Sequence, residues 1–258
     1  MLISTLSFSL KTMANSSQIM SPLCEIARRM PDTVALESGD RSVTYRQYIY
    51  IVKATMRRLR DLGIKPGNRV ALQLDNSCDY AELIMSIMHL GSLVCPLSTR
   101  LPADTLVESL KDINADLLIT DAKSVYVEKL PCRRVDTIEL IPNDMDCTFD
   151  LCAEPLMIEA DRPATIIFTS GSSGQRKGVV HSFRNHHCSA LGSNENIPFG
   201  PGDRWLLSLP MHHVSGLSIL FRALTGGGSV VIESLTDRPT DALRRHRITH
   251  ASVVSSQL

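Results

Sequence analysis

The sequence predicts an α/β protein of layered, mostly parallel sheets with flanking helices, and three observations carry that expectation. Short apolar runs of buried-strand type, such as RVALQL (69–74) and DLLIT (116–120), alternate with amphipathic helical stretches. Gly and Pro mark the boundaries, at Gly63, Pro66-Gly67 and Gly91 among others. The 258 residues, 43% hydrophobic and 21% charged, can bury a core without disulfides or metals.

In chain order, a short helix is expected over 22–30, with Ser21 as cap and Pro22 in its first turn. A strand over 34–37 and a Gly39-Asp40 turn follow, then Val43-Thr44-Tyr45 leads into a long helix to Leu62, closed by Gly63. Arg57, Arg58 and Arg60 fall on its wet face. The strand 69–74 precedes a helix over 79–90 that ends at Gly91, and the strand, turn, helix unit recurs before the strand 116–120. From 135 to 161 there are eight acidic residues, no Lys or Arg and no apolar period, which reads as a surface linker. Strands at 165–168, 178–181, 205–209 and 229–232 then alternate with helices through 185–191, 217–224 and 241–246, and HASVV (250–254) is the last strand.

Composition excludes several function classes. With 27 Lys+Arg against 27 Asp+Glu there is no global basic field to draw nucleic acid or an anionic membrane. The longest uncharged stretches, 83–99 and 205–221, are 17 residues each and broken by His, Pro and Ser, short of a bilayer span. Seven scattered cysteines without a C-x-x-C pair suit a reduced cytoplasm. The apolar start MLISTLSFSLKT lacks a preceding positive charge. Residues 1–20 are therefore expected to be a disordered extension, or to precede a true start at Met13 or Met20. The segment ALRRHRITH (242–250) reads as a solvated helix end, and no metal site is expected there or elsewhere.

The chemistry concentrates in TIIFTSGSSGQRKGVVHS (165–182), a strand, a loop and a strand. The loop brings together what a polyphosphate needs. Gly171 and Gly174 let backbone N–H groups turn inward, Thr169, Ser170, Ser172 and Ser173 donate hydrogen bonds, and Lys177 supplies a point charge. It is not a Walker A loop, since Arg176 stands five positions beyond Gly171, and it is neither a dinucleotide turn nor a nucleophile elbow. Composition alone leaves a flexible Gly/Ser surface loop as the alternative.

FTSGSSGQRKG resembles the phosphate-binding signature [YF]-T-S-G-[ST]-T-G-x-P-K-G of the AMP-forming adenylating superfamily. Ser173 replaces the usual Thr and Arg176 the usual Pro. LSLPMHHVSGLSIL resembles the same superfamily's L-P-x-x-H-x-x-G segment, which sets His213 on the motif histidine and Gly216 on its glycine. VTYRQY, GIKPGNRVALQLDNS and GSLVCPLSTRLP follow the superfamily's earlier course, with Ser98 at a usual Asn and Arg100 at the motif Arg. Within the superfamily, HHVSGLSIL and PLSTRLP are most similar to the o-succinylbenzoate-CoA ligase branch.

The resemblance implies the N-terminal part of the adenylate-forming fold and an ATP-dependent acid-CoA ligase, with ATP, Mg²⁺ and CoA. It casts Lys177 and His213 as catalytic and Thr169, Ser170, Gly171, Ser172, Ser173, Gly174 and Lys177 as the phosphate cradle. His213 and Gly216 would border the acid, whereas His212 is given no role. The partners implied are a carboxylic acid, ATP and CoA, with no nucleic acid or membrane span, and a homo-oligomer is left open. Two subdomains are expected, 21–160 and 161–258. THASVVSSQL resembles the strand before the superfamily's Y-G-x-T-E segment, so an N-terminal portion lacking the downstream machinery is expected. The alternatives are a truncated, non-catalytic nucleotide- or acid-binding module and a ligase for another aryl or fatty acid.

Overall fold

A computed structural model of the chain describes residues 17–39, 41–121, 129–142, 155–169, 176–233 and 243–255. Its first half runs β1 (Gln18–Met20), α1 (Pro22–Arg29), β2 (Val34–Ser38), β3 (Arg41–Thr44), α2 (Tyr45–Asp61), β4 (Arg69–Gln73), α3 (Cys78–His89), β5 (Leu93–Leu97), α4 (Ala103–Asp112) and β6 (Leu117–Thr120). There follow β7 (Arg133–Asp136), α5 (Thr137–Leu140), β8 (Met157–Glu159), β9 (Pro163–Thr169), β10 (Lys177–Ser182) and α6 (Phe183–Asn196). The described chain closes with β11 (Arg204–Leu207), α7 (Val214–Gly226), β12 (Ser229–Ile232) and β13 (His250–Ala251).

Three sheets result. The largest has the order β10-β9-β5-β4-β6-β7, in which β9, β5, β4, β6 and β7 are parallel and β10 is antiparallel to β9. The second has the order β13-β11-β12-β2-β3, parallel except for the antiparallel β2–β3 hairpin, and β1 pairs with β8. Strands from 21–160 and from 161–258 intermix in both large sheets, so the two expected subdomains share their sheets.

The apolar runs have a direct cause. In β4, Val70 and Leu72 enter one core while Ala71 enters another, and in β6 Leu117 and Ile119 oppose Leu118 in the same way. A strand covered on both faces shows continuous apolarity instead of alternation. The larger core gathers α1, α2, α3, α6 and α7 together with strands of both large sheets, and α4 covers the other face of the six-stranded sheet through Leu106 and Leu110. In α3, Asp79 alone escapes burial, which marks it as the central helix.

Caps set the boundaries. Ser21 accepts from Cys24 N with Pro22 at the first helical position, Thr44 and Gln47 form a capping box on α2, and Gly63 and Gly91 take the positive φ that closes α2 and α3.

Four expectations need correction. Residues 18–20, assigned to the extension, form β1 against β8. The acidic 135–161 segment is not all linker: Asp136 and Glu139 make a capping box on α5, and Met157–Glu159 is β8, so part of the acidity terminates backbone donors. The helix expected over 241–246 is helical at 243–245 and turns at 246–247. Its end is not simply solvated, since His246 Nδ1 lies 2.9 Å from Glu37 Oε1 and its Nε2 lies 2.5 Å from Glu233 Oε2. HASVV contributes only β13, beyond which the backbone leaves the ladder. No helix among the described residues is long and apolar enough to cross a membrane, and the described cysteines, Cys24, Cys78, Cys95, Cys132 and Cys188, are free.

Candidate functional site

Parallel strands deliver their carboxyl ends to one edge of a sheet, where loops rather than ladder bonds satisfy the backbone, and ligands of open α/β sheets settle there. In the six-stranded sheet that edge carries Asp75 and Asn76 after β4, Ser98 to Arg100 after β5, and Thr169 at the end of β9. In the second sheet it carries the 208–213 turn after β11.

The β9–β10 hairpin projects from this edge. Its register sets Lys177 opposite Thr169, and Thr169 Oγ1 donates to the Lys177 carbonyl at 3.4 Å. A Cβ on Gly178 would stand 2.9 Å from Ile166 Cγ2, so glycine is what lets the two strands close. Lys177 is exposed, and no described carboxylate lies within ion-pair reach of it. Ser170, Gly171, Ser172, Ser173 and Gly174, the rest of the expected cradle, lie outside the described residues.

Arg176 and Lys177, adjacent in sequence, separate in space. The Arg176 guanidinium lies 4.9 Å from the Phe168 ring centroid, and its Nη1 donates to Ser109 Oγ of α4 at 3.2 Å. Arg176 is therefore held by a ring face and a hydroxyl, which leaves Lys177 as the exposed charge at the hairpin mouth.

The 208–213 turn brings the second sheet in. His213 is the N-cap residue of α7, makes no side-chain cap bond and is exposed, so its imidazole is available to a ligand. His212, beside it at 4.4 Å between ring centroids, is half-buried. Burial pushes its pKa down to about 4, and His213, Arg100 and Arg176 push the same way while Asp75 opposes them. His212 thus stays neutral among cations that belong to the β5 edge and the hairpin.

Gly216 is buried in the first turn of α7, and a Cβ there would overlap the Pro210 carbonyl and stand 2.6 Å from the Leu209 oxygen. The close approach that requires glycine is to the chain's own backbone. It fixes the helix against the turn that carries His213.

Asn76 was not singled out from the sequence, although it lies in the DNS stretch quoted above. Its Nδ2 donates to the Leu209 carbonyl at 2.8 Å, and its Oδ1 accepts from Met211 N at 2.9 Å. Neighbouring loops brace it: Thr99 Oγ1 donates to Asp75 Oδ1 at 2.8 Å, Gln73 Nε2 to the Ser98 carbonyl at 3.2 Å, and Ser77 caps α3. Among the described residues there is no group of three His, Cys, Asp or Glu side chains that could hold a metal. A cavity of about 510 Å³ lies off this constellation, lined by Arg41, Asp79, Asp136, Thr137, Ile138, Ile141 and Pro142. Its one cation is already committed to Asp79 and to the buried Glu82, leaving nothing there to attract a phosphate.

Comparison with known proteins agrees with this fold. The family model described as "AMP-binding enzyme" matches residues 23–258. Two 2-succinylbenzoate–CoA ligases are similar in sequence, from Bacillus licheniformis (33% identity over 90% of this chain) and Bacillus subtilis (32% over 92%). The chain spans 48% of the length of each. The solved o-succinylbenzoate coenzyme A synthetase of Bacillus subtilis in complex with AMP superposes with a TM-score of 0.82 at 28% identity, covering 93% of this chain and 62% of that one. The N-terminal subdomain of Klebsiella oxytoca NpsA in complex with 3-hydroxybenzoyl-AMSN superposes at 0.77 with 25% identity, covering 91% of this chain and 60% of that one.

Proposed function

Because the chain belongs to the AMP-binding enzyme family, we propose that its site serves an ATP-dependent acid–CoA ligase, with 2-succinylbenzoate as the acid, in the menaquinone pathway. The observation that supports the reading most directly is the hairpin register that sets exposed Lys177 opposite Thr169 at the edge where the His212-His213 turn arrives. The choice of acid rests on what the two Bacillus relatives act on. A reducing cytoplasm suits the free cysteines.

In the first half-reaction the acid's carboxylate oxygen forms a bond to the α-phosphorus of ATP and the bond to the bridging oxygen breaks, so pyrophosphate leaves with that electron pair. In the second, a CoA sulfur attacks the acyl carbon of the adenylate, AMP departs, and the thiol proton passes to solvent. The protein assists the first step by position and charge. Lys177 holds the β- and γ-phosphates and neutralises the charge that grows on the leaving group. Thr169, Ser170, Ser172 and Ser173 donate to the same oxygens, with Gly171 and Gly174 admitting the backbone. His213 faces the seam between nucleotide and acid, and Gly216 keeps its helix seated. Mg²⁺, bound with the nucleotide, would offset phosphate charge.

Titration of the 258-residue chain with ATP, and separately with a non-hydrolysable 2-succinylbenzoyl-adenylate analogue, tests this reading. The chain should bind both. Lys177→Ala should weaken ATP about tenfold or more, through loss of a charge-assisted contact, and spare the analogue, which has no β- or γ-phosphate. Failure to bind either ligand, both in this chain and in a protein that carries it with its relatives' downstream half, overturns the reading. An equal loss for both ligands removes Lys177 from the pyrophosphate side. Binding without acid-dependent ATP–pyrophosphate exchange, in a protein carrying this chain and its relatives' downstream half, would favour the non-catalytic binding module.

A further inference from the structure

The 208–213 turn lies beyond the end of β11, yet it must present His213 at a fixed height. Among the constraints that hold it are the His213 N–H bond to the Pro210 carbonyl at 3.1 Å, the bare Cα of Gly216 against the Leu209 and Pro210 carbonyls, the Ser208 hydroxyl donating to the Ser252 carbonyl at 3.4 Å, and the Asn76 amide. The first two are internal to the turn and its helix. Among the described residues, only Asn76 reaches across from the other sheet, from the loop between β4 and α3, 133 positions before Leu209. Its two bonds satisfy a carbonyl and an N–H two residues apart, as a neighbouring strand would, and they close on both sides of Pro210. Leu209 and Met211 are themselves buried, at 6% and 0% exposure, so these backbone groups have little water to fall back on.

We propose that Asn76 is a positioning residue for the reaction, an amide clamp that locks the His213 turn of one sheet to the phosphate-loop edge of the other. It touches no substrate and acts through His213. An aspartate in its place keeps the acceptor for Met211 N–H but turns a carboxylate toward the Leu209 carbonyl, and alanine loses both bonds. The proposal rests on the adenylate-forming reading for its catalytic meaning, while the clamp itself can be read without ligand.

The experiment labels the histidine rings of the chain with ¹³C and compares wild type, Asn76→Asp and Asn76→Ala, ligand-free and with the 2-succinylbenzoyl-adenylate analogue. The His213 and His212 ring signals should shift and broaden in both variants, more in Asn76→Ala, while those of His89 and His246 stay in place. Analogue affinity should fall about tenfold in Asn76→Ala, and by no further factor when His213→Ala is already present, because the clamp works through that ring. A merely structural residue would lower affinity to the same extent in both backgrounds, and that result overturns the proposal. So do His213 signals that ignore both substitutions. If Asn76→Ala does not fold, Asn76→Asp carries the same comparison. A wild-type chain that does not bind the analogue, either alone or joined to its relatives' downstream half, overturns the adenylate reading and not the clamp, which the ligand-free rings decide.

Discussion

At the scale of single residues, the site is shaped by what is withheld as much as by what is offered. Arg176 stands where the superfamily's signature has proline, and Phe168 and Ser109 draw its charge away from the hairpin mouth. The substitution therefore adds a tether to α4 in place of the stiffness a proline would give. Gly216 withholds a side chain altogether. Gly216→Ala would drive a methyl into the Leu209 and Pro210 carbonyls, which are backbone and cannot swing aside. Overpacking of this kind costs about 1–3 kcal/mol, so the urea midpoint of the variant should drop accordingly, with the His213 ring displaced. An unchanged midpoint would mean that α7 slides to accommodate the methyl, and the seating role assigned to Gly216 would then be wrong.

At the scale of elements, the hairpin depends on what anchors its second strand. β10 runs into α6, whose N-cap is Ser182, and Ser182 and Asn185 form a reciprocal capping box. Ser182→Ala should lower stability by about 1 kcal/mol, and hydrogen exchange should quicken first in α6 and the adjoining end of β10. Uniform quickening across all elements would place the cap outside the hairpin's support. Local chemistry of this sort was legible in the sequence. Ser21 with Pro22, the Val43-Thr44-Tyr45 lead-in, and Gly63 and Gly91 announced their helices, and the apolar runs 69–74 and 116–120 announced buried strands. Pairings made across the chain were not legible. Nothing near Asn76 says that it will meet Leu209, and nothing near Glu37 says that it will meet His246. Thr169, Lys177, His213 and Gly216 were singled out because motif spacing encodes them locally. The bonds of Asn76 to Leu209 and Met211 depend on two edges meeting, a property of topology rather than of spacing.

At the scale of the whole molecule, one large core unites helices packed between the two sheets, and several histidines are sealed against or within it. His89 bonds Ser21 and the Met85 carbonyl, His186 bonds Thr165 and stacks on Phe221, and His187 stacks on Phe183. Burial depresses each of their pKa values to about 4 from an ordinary 6.5. The folded state therefore keeps all three neutral while the unfolded chain protonates them, so the stability they carry is complete above pH 6.5 and is lost as pH falls toward 4. Glu82 works in the opposite sense. Burial raises its carboxyl to about 7 against the pull of Arg41, so between pH 7 and 4.5 the folded state holds a proton that the unfolded chain gives up. His212, which burial also holds down to about 4, adds to the histidine side, so near pH 5.5 the balance is between about two and three protons taken up on unfolding, or roughly 3–4 kcal/mol of stability lost per pH unit. Thermal melts of the chain between pH 7 and 5 should fall with that slope. His186→Gln should flatten it by about one proton, whereas Glu82→Gln should steepen it by about one. A slope near zero, or one that neither substitution changes, would show that these histidines are reached by water in the folded chain and that the core between the sheets is looser than its packing implies.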